Sequence, residues 1–331
     1  MKTRQVTLAR RPQGEPTEDD FEVVERDLPD PGPGELLVRS LLLSVDPYQR
    51  GRMSETRSYA KSLELGDVIT SQTVGEVVES SHPRFSPGDV VVGQLGWTEH
   101  AVVPAHQVRR VPPGVDPAAA LHVLGTTGLT AYFGLIDVGK PKPGDTVVVS
   151  GAAGAVGQLV GQIARLMGCR TVGIAGGAEK VRDLIEDYGY DAGIDYKGED
   201  VNAALKAACP DGVDVYFDNV GGQITDLVLL RLALHARVAV CGQISQYNNQ
   251  QPELGPRNLG LLIVHRARIE GFLVTDYAHR YQEALTRLGR WLAEGKLTHR
   301  EHVTEGLENA PRAFIGMLRG ENRGKALVRV A

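Results

Sequence analysis

The sequence predicts an α/β protein in which a doubly wound parallel sheet is combined with a second, β-rich and barrel-like domain. Three observations support this fold class. Short strands separated by prolines occupy the first third of the 331-residue chain. From about residue 146 the pattern becomes strand, glycine-rich turn and helix, repeated several times. From residue 302 the chain returns to short strands around one helix, which indicates a return to the first domain.

The β-rich region is predicted from short apolar runs that are bounded by turn residues. These runs are 35–40, 75–79, 89–92 and 100–104. The prolines that separate them are Pro29, Pro31, Pro33, Pro83 and Pro87. Many short strands with turns between them are typical of a barrel rather than of βαβ units.

The second region is predicted from alternating strand and helix patterns. Strands are expected at 147–150, 171–175, 193–196, 213–218, 237–241 and 269–274, and helices at 155–167, 179–188, 200–208, 223–232 and 280–294, with a further helix at 311–318 in the tail. Alternation of this length predicts βαβ units and a parallel sheet. We therefore expect one domain formed by 1–123 with 300–331, and a second formed by 124–299.

Length and charge exclude several classes of protein. At about 150 residues per domain, 331 residues are sufficient for two domains. Lys and Arg number 36 against 41 Asp and Glu, so the net charge of −5 offers no basic surface for nucleic acid. The longest uncharged runs, 117–136 and 146–164, contain polar side chains and glycines, and we expect no membrane span. Three widely spaced cysteines and no secretory signal favour a cytoplasmic protein.

The strongest local signal is the run from Val147 to Gly157, in which an apolar strand meets a glycine-rich turn and a helix. A dinucleotide pyrophosphate binds at such a helix N-terminus through free N–H groups and the helix dipole. Gly154 and Gly157 allow close backbone approach, whereas Ala152 stands where G-x-G-x-x-G has its first glycine. An ordinary tight turn is the alternative, but the βαβ units that follow favour cofactor binding.

The end of the second predicted strand favours NADP over NAD. NAD-binding proteins place an acid there for the ribose hydroxyls, but this strand ends in Gly176-Gly177-Ala178. An acid comes only at Glu179, followed by Lys180 and Arg182, which can pair with a 2′-phosphate. The alternative for Lys180 is a solvated charge, although a cation is unfavourable in a first helical turn.

A zinc site is not predicted. Structural zinc needs four closely spaced Cys or His ligands, and catalytic zinc needs about three. No cysteine lies in the N-terminal region, and the histidines there have no paired spacing: His82, His100, His106 and His122. We therefore expect tyrosine hydroxyls or the cofactor ribose to activate a substrate.

Two polar segments stand where a core strand would be apolar. Residues 241–249 contain Tyr247 and follow a predicted parallel strand, at the end where ligands of open α/β sheets bind. Residues 45–50 contain Tyr48 and belong to the β-rich region. On spacing alone, each tyrosine is more often a packed aromatic whose hydroxyl contacts water.

Six motifs in order along the chain resemble the zinc-free medium-chain dehydrogenase/reductase superfamily. They are VDPY (45–48), LTAYFG (129–134), GAAGAVG (151–157), YFDNVGG (216–222), CGQISQYN (241–248) and GENRGK (320–325). The most similar branch contains prostaglandin reductases, leukotriene hydroxydehydrogenases and plant alkenal double-bond reductases. The chain departs from that branch just before Leu129, where residues 122–128 (HVLGTTG) lack the Met-Pro that is common there, and we expect a differently shaped cleft wall.

The resemblance implies a Rossmann domain, a GroES-like substrate domain, a homodimer and a set of NADPH-binding residues. The pyrophosphate residues are Gly154, Ala155, Val156 and Gly157, and Lys180 and Tyr196 bracket the 2′-phosphate. The remaining cofactor residues are Asn219, Cys241, Gly242, Gln243, Ile244, Ser245, Tyr247, Phe272, Leu273, Val274 and Asn322. In this family the match to Tyr247 lies near the nicotinamide ribose and the substrate carbonyl, and the match to Tyr48 lies on the substrate side.

The implied activity is NADPH-dependent, metal-free reduction of the carbon–carbon double bond of α,β-unsaturated ketones and aldehydes, with Tyr247 and Tyr48 as catalytic residues. Two alternatives stay open at this point. A quinone reductase of the same superfamily needs the same NADPH site but not a tyrosine donor. A non-catalytic, NADPH-binding redox sensor belongs to a different class and needs no acceptor.

Overall fold

The computed structural model describes residues 1–55 and 58–330. The chain divides into two compact units, which we call the β-rich unit (Met1–Leu121 with Glu301–Ala331) and the parallel-sheet unit (His122–Arg300). The α/β fold class is confirmed, with one parallel and one mainly antiparallel sheet. None of the helices in the described part of the chain is long and apolar enough to cross a membrane.

The β-rich unit contains two sheets. Its strands are β1 (Lys2–Leu8), β2 (Phe21–Asp27), β3 (Glu35–Ser44), β4 (Gln72–Ser80), β5 (Val90–Gln94), β6 (His100–Pro104), β7 (Val108–Arg110), β14 (Glu301–Glu305) and β15 (Lys325–Arg329). Strands β1 and β2 form a hairpin-like pair, and the others form a seven-stranded sheet in the order β14-β15-β3-β4-β5-β7, with β6 also paired to β3. Its helices are α1 (Tyr48–Arg52), α2 (Pro117–Leu121) and α10 (Ala310–Leu318).

The parallel-sheet unit has six parallel strands in the order β10-β9-β8-β11-β12-β13. They are β8 (Thr146–Ser150), β9 (Arg170–Ala175), β10 (Ala192–Asp195), β11 (Val213–Asp218), β12 (Leu232–Val240) and β13 (Arg268–Gly271). The helices are α3 (Thr126–Phe133), α4 (Gly157–Leu166), α5 (Ala178–Glu186), α6 (Val201–Ala208), α7 (Gly222–Leu229), α8 (Gly260–His265) and α9 (Tyr281–Ala293). Every residue of β8 is buried, as expected for a central strand covered on both faces.

Several predicted boundaries were wrong for identifiable reasons. The hairpin partner β2 was missed because only its first residue is buried and no apolar alternation marks it. Strand β12 begins at Leu232 rather than 237, since His235 with φ +64° interrupts the pattern. Helix α4 begins at Gly157 rather than 155, and β13 ends at Gly271 rather than 274. Both corrections move predicted site residues from regular elements into loops.

Candidate active site

The carboxyl ends of the six parallel strands bring most of the predicted site residues to one edge of the sheet. Gly154–Gly157 follow β8, Lys180 follows β9, Tyr196 follows β10, Asn219 follows β11, Cys241–Tyr247 follow β12 and Phe272–Val274 follow β13. The strand order reverses between β8 and β11, and ligands of open α/β sheets bind in the crevice at such a reversal. Tyr48 and Asn322 belong to the β-rich unit and are described with it.

The turn after β8 requires glycine because two backbone segments pass very close to each other. A Cβ on Gly157 would lie 2.4 Å from the Gly151 carbonyl oxygen and 2.6 Å from Ala152 Cα. Gly151 itself has φ +58°, and its carbonyl accepts a hydrogen bond from Gly154 N at 3.0 Å. The first turn of α4 is therefore packed directly against the end of β8, as in dinucleotide-binding βα units.

Three consecutive amides at the start of α4 are open. The N–H groups of Ala155, Val156 and Gly157 donate no hydrogen bond to any other residue that the structure describes. The next amide, of Gln158, is already used by the Gly154 carbonyl at 3.0 Å. Unsatisfied N–H groups at the positive end of a helix dipole bind anions, and a pyrophosphate fits this donor set.

A buried carboxylate ties β8 to β11 at the reversal point. Asp218 Oδ1 accepts hydrogen bonds from Ser150 Oγ at 3.0 Å and from the Tyr216 hydroxyl at 2.9 Å. The same oxygen accepts the Val220 and Gly221 N–H groups at 3.0 and 2.9 Å, and Oδ2 accepts Thr225 Oγ1 at 2.6 Å. Burial raises the Tyr216 pKa, so this phenol stays a donor. Because Asp218 fixes both strand ends, the crevice keeps its shape.

Asn219 is held by the same arrangement. Its side-chain amide donates to the Ser150 carbonyl at 2.8 Å, and its backbone N–H donates to Ser150 Oγ at 3.0 Å. Both bonds connect the loop after β11 to the last residue of β8. Asn219 therefore lies at the reversal point with one of its two side-chain N–H groups used, and its side-chain oxygen and second N–H are the polar groups that it can offer to a ligand.

The loops after β9 and β10 pack against each other around Gly176. A Cβ there would lie 2.8 Å from the Tyr196 ring, so the backbone rests directly on that ring. Asp195 Oδ1 accepts the N–H groups of Gly177 at 2.7 Å and Lys197 at 3.0 Å, and these bonds lower the Asp195 pKa. Lys180 is half-buried in the first turn of α5. The structure thus places Lys180, in the first turn of α5, and Tyr196, in the loop after β10, on neighbouring segments. The carboxylate of Asp195, which no sequence motif marks, connects those segments through its two hydrogen bonds.

Backbone hydrogen bonds connect the segment after β12 to the segment after β11. Cys241 N donates to the Asp218 carbonyl at 2.8 Å, and Ser245 N donates to the Val220 carbonyl at 3.1 Å. The Ser245 hydroxyl donates to that same Val220 oxygen at 2.6 Å. Gly242, Gln243 and Ile244 are therefore fixed beside Asn219.

Tyr247 folds back over this segment. Its hydroxyl oxygen accepts the Gln243 N–H at 3.3 Å and would lie 3.1 Å from a Cβ added to Gly242. Burial raises the pKa of Tyr247, and the Gln243 bond opposes this only in part. The phenol is consequently protonated at neutral pH and retains its own proton to donate.

Cys241 and Phe272 are packed into the unit rather than open. Burial and the Asp218 charge raise the pKa of the Cys241 thiol to about 12. The Phe272 ring lies edge-on to Phe217 with centroids 6.2 Å apart, and a Cβ on Gly134 would lie 2.3 Å from it. Leu273 and Val274 continue from β13, and the Val274 carbonyl accepts the Tyr281 hydroxyl at 3.0 Å. Cys241 and Phe272–Val274 can therefore contact a ligand only through their backbone and the part of each side chain that stays exposed.

In the β-rich unit, Tyr48 is the first residue of α1 and follows a corner that buried polar groups hold. Lys325 is 1% exposed, and its ammonium donates to the Val45 carbonyl at 2.8 Å and to Asp46 Oδ1 at 2.9 Å. The Gln49 side chain accepts the Asp46 N–H at 2.9 Å and donates to the Thr70 carbonyl at 2.7 Å. We call Val45–Tyr48 with Lys325 the tyrosine corner.

The hydroxyl of Tyr48 is buried and has no hydrogen-bond partner among the described residues. Thr70 lies beside it, and the Thr70 hydroxyl is also buried without a hydrogen-bond partner among the described residues. Burial and the Asp46 charge raise the Tyr48 pKa, so the phenol is neutral. Asn322 belongs to the same unit, where its amide donates to the Gly324 carbonyl at 2.6 Å, and it lines a cavity of about 350 Å³ beside α10.

Comparison with known proteins gives full-length matches. A family model described as "N-terminal domain of oxidoreductase" matches residues 4–111, and one described as "Zinc-binding dehydrogenase" matches residues 155–290. NADPH-dependent curcumin reductase of Escherichia coli (strain K12) is 44% identical over 336 residues, which are 100% of this chain and 97% of that protein. Prostaglandin reductase 1 of Rattus norvegicus is 44% identical over 329 residues, 98% of each chain. The crystal structure of CurA in complex with NADPH from Vibrio vulnificus superimposes with a TM-score of 0.95 at 44% identity and covers 99% of both chains.

Proposed function

This chain belongs to the medium-chain dehydrogenase/reductase superfamily, in the branch of prostaglandin, alkenal and curcumin reductases, and we propose that it reduces the conjugated carbon–carbon double bond of α,β-unsaturated ketones and aldehydes. The relatives identify the general activity as that of an NADPH-dependent double-bond reductase, and the substrate class is our proposal. The one observation that supports this specific reaction best is the position of the Tyr247 hydroxyl, which accepts the Gln243 N–H and lies on the same sheet edge as the open amides of α4.

NADPH is assigned to the carboxyl edge of the parallel sheet. We assign its pyrophosphate to the amides of Ala155, Val156 and Gly157, because these are open donors at a helix N-terminus. We assign its 2′-phosphate to Lys180 and Tyr196, at the ends of the neighbouring strands. The further cofactor residues of the proposal are Asn219, Cys241, Gly242, Gln243, Ile244, Ser245, Phe272, Leu273, Val274 and Asn322.

The proposed chemistry needs a hydrogen-bond donor for a developing oxyanion. Bound NADPH supplies a hydride, which is taken up at the β-carbon of the substrate. Charge then accumulates on the substrate oxygen, and the Tyr247 hydroxyl donates to it. A preorganised donor of this kind contributes about 3 kcal/mol to the transition state. Tyr48 orients the carbonyl or supplies the proton that completes the product. Both phenols keep their protons at neutral pH, because burial raises both pKa values.

No metal ion is part of the proposed mechanism, because the phenol of Tyr247 supplies the polarisation that a Lewis acid otherwise provides. The cysteines do not form a ligand set that would compete with this assignment. Among the described residues, no cysteine belongs to a group of three or more His, Cys, Asp or Glu side chains that lie close enough to share a metal ion.

The first experiment measures NADPH and NADH consumption against matched enones, enals and a quinone, with products identified by mass spectrometry and NMR. We expect a saturated carbonyl product and a strong preference for NADPH. Turnover of the quinone alone would replace the proposal with a quinone reductase. Tight NADPH binding without turnover of any acceptor would replace it with a redox sensor.

Tyr247→Phe tests the donor directly. We expect kcat to fall by about 100-fold, with a smaller change in KM, because the hydrogen bond strengthens only as charge develops on oxygen. Tyr132→Phe is a matched control, since that hydroxyl donates to Glu283, which has no part in the proposed site. An unchanged kcat in Tyr247→Phe would remove this residue from the mechanism.

We propose that the protein is a homodimer that pairs through β13 and α8. Strand β13 is at the end of the parallel sheet, and all four of its residues are exposed, so one edge of backbone N–H and C=O groups is open to a partner strand. Leu259, Ile263 and Val264, at the start of α8 and within it, are large apolar side chains that stay exposed a few residues before β13 in the chain. Ile263→Asp should give a monomer in analytical ultracentrifugation, whereas Leu65→Asp, at an exposed leucine of the β-rich unit, should not.

A further inference from the structure

His122 makes a long-range hydrogen bond to the turn after β8. The side chain is 0% exposed, and its Nε2 atom lies 2.9 Å from the Ala155 carbonyl oxygen. A carbonyl oxygen can only accept, so the proton of this bond is on Nε2. The bond joins residues 33 positions apart and reaches the turn at the residue where the three open amides begin.

The direction of this bond determines the direction of the next amide. The described chain contains no cis peptide bond, so the peptide group between Ala155 and Val156 is trans and planar. In such a group the C=O and the N–H point to opposite sides. Because His122 holds the Ala155 carbonyl toward the interior, the Val156 N–H points away from it, where it is open to an anion.

The imidazole is itself held on two sides. Its ring meets the His299 ring edge-on, with centroids 5.6 Å apart and planes at 82°. The His122 carbonyl accepts Thr127 Oγ1 at 2.9 Å and the Gly128 N–H at 3.0 Å. Because both the ring and the backbone are fixed, the Ala155 carbonyl cannot turn outward without losing its donor inside the protein.

We propose that His122 is a positioning residue for NADPH, which orients the Val156 amide toward the pyrophosphate before the cofactor binds. The inference rests on the assignment of the α4 amides to the pyrophosphate in the proposed function. It goes beyond that assignment by naming the side chain that preorganises one of these amides. His122 does not touch the cofactor in this scheme and acts only through the Ala155 carbonyl.

Three variants separate the hydrogen bond from simple packing. His122→Gln keeps an amide donor near the position of Nε2, whereas His122→Asn is too short to reach and His122→Leu has no donor. Without a donor inside the protein the Ala155 carbonyl is free to turn toward water, which turns the Val156 N–H away from the pyrophosphate, so we expect Leu and Asn to weaken NADPH binding roughly tenfold or more. We expect Gln to stay within about threefold of the parent, with kcat at saturating NADPH little changed in all three.

The decisive readout compares two ligands by fluorescence titration or calorimetry. NADPH contains the pyrophosphate, whereas 2′-AMP has only the adenosine and 2′-phosphate. Loss of NADPH affinity with unchanged 2′-AMP affinity supports the proposal. Equal losses for both ligands overturn it, and so does an NADPH affinity in His122→Leu that is as high as in His122→Gln. If His122→Leu does not fold, the comparison of Asn with Gln gives the same decision. These binding measurements do not depend on enone turnover, so they remain valid if the proposed reaction is wrong.

Discussion

The turn after β8 and the tyrosine corner are built in opposite ways. The turn presents open backbone amides and depends on the absence of side-chain atoms at Gly157. The tyrosine corner presents a neutral phenol and depends on a buried ammonium, Lys325, that pairs with Asp46. The first is vulnerable to an added methyl group, and the second to a lost charge. The two regions should therefore respond to different substitutions.

Lys325→Met gives the largest expected effect. Removing one partner of a buried ion pair leaves Asp46 without its counter-charge and costs about 3–5 kcal/mol of unfolding free energy. Urea unfolding of the β-rich unit can be followed through Trp97, which is fully buried there, in a Trp291→Phe background that silences the other tryptophan.

The matched control for this charge is Lys2→Met. Lys2 also pairs with a carboxylate, Glu25 at 2.6 Å, but both side chains are more than half exposed, so we expect no measurable change. A loss in Lys325→Met no larger than that in Lys2→Met would show that burial adds nothing to the corner.

Gly157→Ala should damage the other region. The new Cβ would lie 2.4 Å from the Gly151 carbonyl, and backbone at that distance has to move. Overpacking of this kind costs about 1–3 kcal/mol, and the displaced amides should weaken NADPH binding about tenfold or more. Gly260→Ala is the control, because Gly260 is also the first residue of a helix and an added Cβ has nothing within 4 Å. Equal NADPH affinities in the two variants would contradict the close approach.

Lys180→Ala sharpens the cofactor assignment at the sheet edge. A charge-assisted hydrogen bond contributes about 1.5–3 kcal/mol, so NADPH affinity should fall about tenfold to 100-fold while NADH affinity hardly changes. Lys206→Ala, which removes a cation from the last turn of α6, should leave both affinities unaltered. Equal losses of NADPH and NADH affinity would mean that Lys180 does not bind the 2′-phosphate.

The thiols give the smallest expected effect. Burial raises the pKa of Cys241 to about 12 and that of Cys169 and Cys209 to about 11, so thiolate forms only as the pH rises to those values. At pH 8 less than about one thiol in a thousand is ionised. The native protein should react slowly with a disulfide reagent, whereas all three cysteines should react in guanidinium. One fast-reacting thiol in the native state would contradict the raised pKa of that thiol.

The two regions also differ in how far the sequence predicts them. Glycine spacing and the alternation of strands and helices are local signals, and they predicted the fold class and the turn after β8. The ion pair of the tyrosine corner joins residues 279 positions apart, and no local pattern encodes it. The His122 bond to Ala155 is likewise a tertiary contact, so the sequence indicated only a lone histidine. The motif YFDNVGG did contain Asp218, but its role as a buried acceptor depends on Ser150 from another strand.

The position of β15 has a consequence for the order in which the protein folds during synthesis. Residues 42–44 of β3 pair with β15, whose strand begins at Lys325, and the whole parallel-sheet unit is encoded between them. At about 5–20 residues per second, the ribosome leaves this edge of β3 unpaired for tens of seconds. The parallel-sheet unit, which is continuous in the chain, can fold within that interval. A nascent chain therefore finishes its internal unit first and closes its first sheet last.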